Sequence, residues 1–184
     1  MNQKLVIFIT GMTGAGKTTI GIELAKELGI PFFSIGQFQR AFALSQGFQD
    51  VTEFNKKVGL QKAYFDLLPQ IIKEIEKQIT ENNGLIVEGL YSKQILESIK
   101  KEFPNANVKL FNITASRNIR LNRTTIRQKQ PRKKAAKTMK SLDKSKKRIG
   151  LIEVQQLSRT KGIIIRNTGS TIYAVKLMKH HILR

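Results

Sequence analysis

The sequence predicts an α/β protein: a parallel sheet of about five strands with helices on both faces, in three αβα layers. Three observations carry this. Short apolar runs rich in β-branched residues alternate with longer stretches whose apolar residues recur at helical spacing. A glycine-rich octapeptide, Gly11-Met12-Thr13-Gly14-Ala15-Gly16-Lys17-Thr18, joins the first such run to the first such stretch. No repeat or Gly/Ser linker divides the 184 residues, a length that suits one domain with a sizeable core.

Leu5-Val6-Ile7-Phe8-Ile9 reads as the first strand, and Ile20, Leu24 and Leu28 mark one face of the first helix. Gly29 stops that helix and Pro31 prevents its resumption. Phe32 to Ile35 is a short extended piece, and Gly36 leads into a helix over 37–44 that Gly47 closes. Asp50 is placed to cap a short helix, with Glu53 three residues on. A longer helix is expected from about Leu60 to Ile79, kinked or split at Pro69. Leu85-Ile86-Val87 reads as a buried strand ending at Glu88-Gly89, followed by a helix over 92–102. Val108 to Ile113 is a further strand, with a helix from about Ser116. Gly162-Ile163-Ile164-Ile165 is the last strand, and Thr171 to Leu183 the last helix.

Composition narrows the chemistry. No cysteine is present, so disulfides and thiolate metal sites are excluded. The two histidines, His180 and His181, read as a solvated helix end rather than ligands. No apolar run approaches the roughly 18 residues of a membrane span. The first strand begins almost at Met1, leaving no room for a leader before it, so a cytoplasmic protein is expected. The net charge is +20, unevenly placed: residues 1–100 carry 11 basic and 10 acidic side chains, and residues 101–184 carry 22 and 3. Such a field favours polyanions. Its densest part is 128–148, with ten Lys or Arg against Asp143 alone, which by itself reads as a solvated charged loop.

The octapeptide fits G-x-x-x-x-G-K-[ST], and strand, glycine loop and helix are the context that makes it a nucleoside-triphosphate site. Glycines let backbone N–H groups converge on phosphate oxygens, and the helix N-terminus adds positive potential. Lys17 is expected to reach the β- and γ-phosphates and the Thr18 hydroxyl to ligate Mg²⁺, with Thr19 completing the ATP contacts. Phosphoryl transfer needs alignment and dispersed positive charge more than covalent help. Arg120, Arg123 and Arg127 share one helical face at i, i+3, i+7, and like charges so stacked are reconciled by a bound polyanion. Leu121 and Ile126 are left for packing.

Taken in order, five pieces resemble the P-loop nucleoside monophosphate kinases, in the branch of adenylate kinases, archaeal-type cytidylate kinases and dephospho-CoA kinases. They are Gly11 to Thr18, Phe33 to Ala43, Val87-Glu88-Gly89, Thr114 to Arg127, and Ile163 to Ser170. The resemblance implies a P-loop core of residues 1–30, 84–127 and 149–184, an acceptor-binding helical insertion over 31–83, and a basic lid over 128–148. It implies that Arg40 grips the acceptor's phosphate, with Ser34, Gly36, Gln37 and Gly89 lining the acceptor pocket. Glu88 would hold Mg²⁺ through water. Arg123 would lie on the adenine, Arg127 would contact the transferring phosphates, and Arg132 and Arg148 would be lid-side phosphate ligands. Asn167-Thr168-Gly169 would sit beside the adenine.

Two departures stand out. Relatives commonly have an acidic residue where Gln37 stands, and often an arginine where this chain has Leu90-Tyr91. Two readings follow. One is an ATP- and Mg²⁺-dependent kinase acting on a nucleoside monophosphate, CMP or dCMP first, or on a similar acceptor such as dephospho-CoA. The other is an ATPase of the same fold that uses 128–148 to bind RNA or an acidic partner. A GTPase is excluded because Asn55-Lys56-Lys57-Val58 lacks the aspartate of N-K-x-D, and a dinucleotide enzyme because no third glycine follows Gly16 at the required spacing.

Overall fold

Alternate residues of the first strand, β1 (Leu5–Thr10), belong to two different cores. Val6 and Phe8 pack on one face, Ile7 and Ile9 on the other, and all four are fully buried. A strand apolar on both faces must lie inside a sheet covered twice. The computed structural model describes residues 3–183 and shows that arrangement. The other elements are α1 (Lys17–Leu28), β2 (Phe32–Ser34), α2 (Ile35–Ser45), α3 (Val51–Val58), α4 (Leu60–Glu81), β3 (Gly84–Glu88) and α5 (Lys93–Glu102). After these come β4 (Asn107–Thr114), α6 (Arg117–Gln128), α7 (Arg132–Arg148), α8 (Leu151–Lys161), β5 (Ile163–Arg166) and α9 (Thr171–Ile182).

The five strands run parallel in the order β2-β3-β1-β4-β5. One core gathers α4, α5 and α8 against the sheet through Tyr64, Ile71, Ile75, Ile95, Ile99 and Val154. The opposite core uses Ile20 and Leu24 of α1 with Val175 and Met178 of α9. The register sets Ser34 abreast of Glu88, and Glu88 abreast of Ile9, at the carboxyl ends of β2, β3 and β1. That edge is where open α/β sheets present ligands.

Local signals explain most boundaries. Asp50, Ser92, Ser116 and Ser170 accept backbone N–H bonds at the starts of α3, α5, α6 and α9. Glu53 accepts from the Gln49 N–H at 2.9 Å, so the reciprocal bond of the cap falls one residue outside Asp50. His180 is exposed at the end of α9, as expected of a solvated helix end, and His181 is partly exposed.

Four expectations are corrected. α4 does not split at Pro69 but runs unbroken from Leu60 to Glu81. Pro69 and Phe65, whose carbonyl the ring leaves unpaired, lie on the exposed side of α4, where water can satisfy it. Residues 132–148 form a 17-residue helix rather than a loop, and α8 follows where no element was expected. Ile126 does no packing, being 76% exposed, whereas Leu121 and Thr124 hold α6 down. Ile35 belongs to α2 rather than to the strand before it.

Candidate functional site

The glycine loop follows β1 and ends where Lys17 begins α1. Gly16 has φ +94°, and a Cβ there would stand 2.4 Å from Asn167 Nδ2, so only glycine serves. Asn167 itself is buried and donates to the Ala15 carbonyl at 2.8 Å. Arg123 donates to that carbonyl at 3.2 Å and to Asn167 Oδ1 at 3.1 Å. The residue that follows β5 and the middle of α6 therefore brace the back of the loop.

Lys17 and Glu88 are both 6% exposed and their charged groups stand 3.5 Å apart. Lys17 also reaches the Met12 carbonyl at 3.4 Å, while Ser34 Oγ donates to Glu88 Oε2 at 2.9 Å. Ser34 was expected to line an acceptor pocket. It does line the cleft, but its hydroxyl is spent on Glu88 and on the N–H of Gln37 that it caps.

Thr13 is held at three atoms. Its N–H donates to Asp143 Oδ1 at 2.8 Å, its carbonyl accepts from Arg120 at 3.0 Å, and its hydroxyl accepts from Lys146 Nζ at 2.8 Å. Arg120 closes the set with a 2.7 Å bond to Asp143 Oδ2. Burial pushes the Asp143 carboxyl up, but the bonds from Arg120 and Thr13 prevail and hold it below the usual carboxylate value. Burial, Lys17 and Arg127 push the Lys146 ammonium down to about 7, against the opposing pull of Asp143 and Glu88. Its Nζ also lies 5.2 Å from the centre of the Tyr91 ring. Burial, helped by Glu88 and Asp143, raises the Tyr91 phenol well above its ordinary value against the pull of Arg40.

Of these groups, Thr13, Lys17, Ser34, Glu88, Tyr91 and Lys146 line a single cleft of about 270 Å³. The loop side supplies Thr13, Gly14, Lys17 and Thr18; β3 and its end supply Glu88, Gly89 and Tyr91. The helical insertion adds Gly36, Gln39 and Arg40 from α2, Asn55 from α3 and Tyr64 from α4, and Arg127 and Lys146 complete the wall. A larger hollow of about 570 Å³ lies at the opposite end of the sheet around Phe103 and Pro104, away from the loop.

The predicted site residues thus separate into groups. Thr13, Gly14, Lys17, Thr18, Ser34, Gly36, Arg40, Glu88, Gly89 and Arg127 meet in the cleft. Gly11, Met12, Ala15, Gly16 and Thr19 belong to the loop and the first turn of α1, and Arg123 and Asn167 to its brace. Gln37 is exposed and does not line the cleft; Gln39 does. Arg132 is also set apart: in the first turn of α7 it is exposed and binds Asn122 Oδ1, about 16 Å along the helix axis from the turn that reaches Thr13. Arg120, read as a phosphate ligand, is spent on Asp143 and Thr13. Asp143, Lys146 and Tyr91 went unread. Ala135, Met139, Asp143 and Lys146 fall on one face of α7, a signal usable only once 132–148 is read as a helix.

The residues present fit Mg²⁺. Thr18 is exposed and lines the cleft, as Glu88 does, while no cluster of three or more acidic or imidazole side chains suited to a metal exists among the described residues. An oxygen pair of this kind suits an ion that keeps its waters and leans on substrate phosphates rather than on a protein cage.

Residues 7–149 match the family described as AAA domain. A cytidylate kinase of Saccharolobus islandicus is 33% identical over 125 residues, covering 68% of this chain and 60% of the relative. A UPF0200 protein of Pyrococcus furiosus is 30% identical over 159 residues, 84% of each chain. Among solved structures, a gluconokinase from Sinorhizobium meliloti superposes with a TM-score of 0.61 at 13% identity, covering 100% of this chain and 94% of that one. That last likeness is one of fold. The chain spans 60% of the length of the curated cytidylate kinase it matches.

Proposed function

Because this chain belongs to the AAA domain family, within the P-loop nucleoside monophosphate kinase-like superfamily, we propose that it is a kinase moving the γ-phosphoryl of ATP onto a small nucleotide acceptor. The observation that carries this is one cleft lined by both the phosphate loop and the α2 insertion with Arg40. A hydrolase needs only the first wall; a transferase needs both.

In this reading the loop N–H groups and Lys17 hold the triphosphate, and Arg40 holds the acceptor's phosphate. Glu88 and Thr18 hold Mg²⁺, which when bound supplies charge neutralisation on the phosphates. An acceptor oxygen forms the new bond to the γ-phosphorus as the bond to the β–γ bridging oxygen breaks, and that electron pair leaves with ADP. Arg127, exposed at the end of α6 and facing the cleft, supports the charge in flight. Arg123 and Asn167, bracing the loop, flank the adenine. Residues 31–83 act as the acceptor-binding insertion and 128–148 as the lid, which closes to exclude water. The cytidylate kinase likeness makes CMP or dCMP the first acceptor to try, followed by dephospho-CoA, and the cytoplasm the expected compartment.

A second reading draws on the outer face of α7. Lys133, Lys134, Lys137, Lys140, Lys144, Lys147 and Arg148 are exposed there, and none joins an ion pair among the described residues. Such a stripe fits RNA, and binding through it falls steeply with salt. The test is ADP release from ATP·Mg²⁺ against nucleoside monophosphates, dephospho-CoA and RNA at two salt concentrations. A phosphorylated small product supports the kinase. Stimulation by RNA alone, lost at high salt, replaces it with an RNA-associated ATPase.

A further inference from the structure

Among the described residues, Lys146 is a cation that joins no ion pair. It lines the cleft, yet the nearby carboxylates are engaged: Asp143 by Thr13 and Arg120, Glu88 by Lys17 and Ser34. What it has is the Thr13 hydroxyl at 2.8 Å and the face of Tyr91. Neither group carries a formal charge, and a lysine drawn out of water without a counter-charge is costly. Its position is nonetheless firmly set. One helical turn earlier Asp143 ties α7 to the loop, and just beyond its end Gly150, at φ +118°, presses against the loop after β3. A Cβ at Gly150 would come within 2.6 Å of the Tyr91 carbonyl, so the approach depends on glycine.

The group Lys146 touches is part of the phosphate loop itself. Thr13 stands two residues after Gly11 and four before Lys17, and Thr13, Lys17, Arg127 and Lys146 line one cleft. We propose that Lys146 is a second phosphate-binding lysine, carried by α7 to the Thr13 side of the loop, where it holds the phosphoryl that Lys17 holds from the other. This rests on the kinase reading for its chemistry: as the bond from the acceptor oxygen to the γ-phosphorus forms and the bond to ADP breaks, the ammonium keeps its three protons and supplies charge alone. The sequence motif provides one lysine; the fold adds another from a helix more than a hundred residues away.

A consequence follows for protons. The charged groups facing Lys146 are Lys17 from α1, Glu88 from β3, Arg127 from α6 and Asp143 from α7, with Tyr91 beneath it. With no polyphosphate present the ammonium is held down to about 7, so at pH 8 most molecules carry the neutral amine. A polyphosphate favours the charged form, so its binding draws a proton from solution.

The experiment compares the wild type with Lys146→Met and Lys146→Arg. ATP·Mg²⁺ binding is measured at pH 8 by calorimetry in two buffers of different ionisation enthalpy, and turnover is measured with whichever acceptor the wild type phosphorylates. The wild type should take up most of a proton, and both variants almost none. Lys146→Met should lose about tenfold in ATP·Mg²⁺ affinity, the linkage that goes with the proton uptake, and about a hundredfold in kcat, and Lys146→Arg should recover most of both losses. The proposal is overturned if Lys146→Met binds ATP with the same proton uptake as the wild type, or keeps kcat within about twofold. If it merely braces the loop, the methionine variant loses thermal stability and its proton uptake stays that of the wild type. Should the wild type phosphorylate no acceptor, the kinase reading fails, and the proton count alone decides for or against Lys146.

Discussion

The two faces of α7 handle charge in opposite ways. On the inner face Asp143 is matched to Arg120 and Thr13 in bonds of 2.7 and 2.8 Å, and Lys146 leans into the cleft. On the outer face a row of lysines at helical spacing joins no ion pair among the described residues. Elsewhere in the chain exposed helices do pair their charges, as Lys62 with Asp66 on α4 and Lys93 with Glu97 on α5. Such i, i+4 pairs help a helix by a few tenths of a kcal/mol each, and unpaired like charges cost as much. The inner face therefore holds α7 in place against the phosphate loop, and the outer face works against the helix. What the outer face presents is charge turned to solvent.

That contrast can be broken from either side. The largest effect is expected at the floor of the cleft: Lys17→Ala should lower phosphoryl transfer by roughly a thousandfold, read as kcat in a coupled ADP assay. Next is the inner face. Asp143→Ala leaves the buried Arg120 guanidinium and the Thr13 N–H unpaired, and should cost about 3 kcal/mol in urea unfolding. Because the folded Asp143 carboxyl lies below its ordinary value of 3.8, its contribution is present in full above that pH and is lost as pH falls through the folded value. Wild type and Asp143→Asn should accordingly differ in stability at pH 7 and converge in strong acid. Arg127→Ala should reduce kcat by about tenfold to a hundredfold with ATP affinity nearly unchanged, measured by comparing turnover with equilibrium binding. Smallest is the outer face. Lys137→Glu, placed between Lys133 and Lys140, should leave mononucleotide turnover intact and raise the melting temperature slightly, by about 0.5 kcal/mol of stability. The same change should flatten the salt dependence of RNA retention, and a retention curve identical to the wild type's would show that the stripe does not bind RNA.

Much of this architecture was legible in the residues. β1, the glycine loop and α1 declare themselves because Gly11, Gly14 and Gly16 occupy positions only glycine tolerates between an apolar run and a periodic one. Glu88 could be placed at a strand end because Leu85-Ile86-Val87 is too short and too apolar for anything but a buried strand. α7 and α8 were not legible, for different reasons. α7 has too little apolar surface for its period to show: apart from Ala135 and Met139, its buried side chain is the aspartate. In α8 the apolar face is short, Leu151 and Val154 with Leu157 beside them, and its last buried position is Ser158, against which Gly162 leaves room for no Cβ. Lys146 was hidden among nine other basic residues of the same stretch, and only the helix register tells it from Lys144 or Lys147.

Ser34 links two halves of the cleft through one oxygen atom. Its hydroxyl caps the helix that carries Arg40 while donating to Glu88, whose other oxygen faces Lys17. In the proposed kinase, a triphosphate that draws Lys17 toward itself would leave Glu88 to Ser34, the residue that caps α2. That one hydroxyl would let occupancy at the nucleotide end of the proposed kinase bear on the acceptor end.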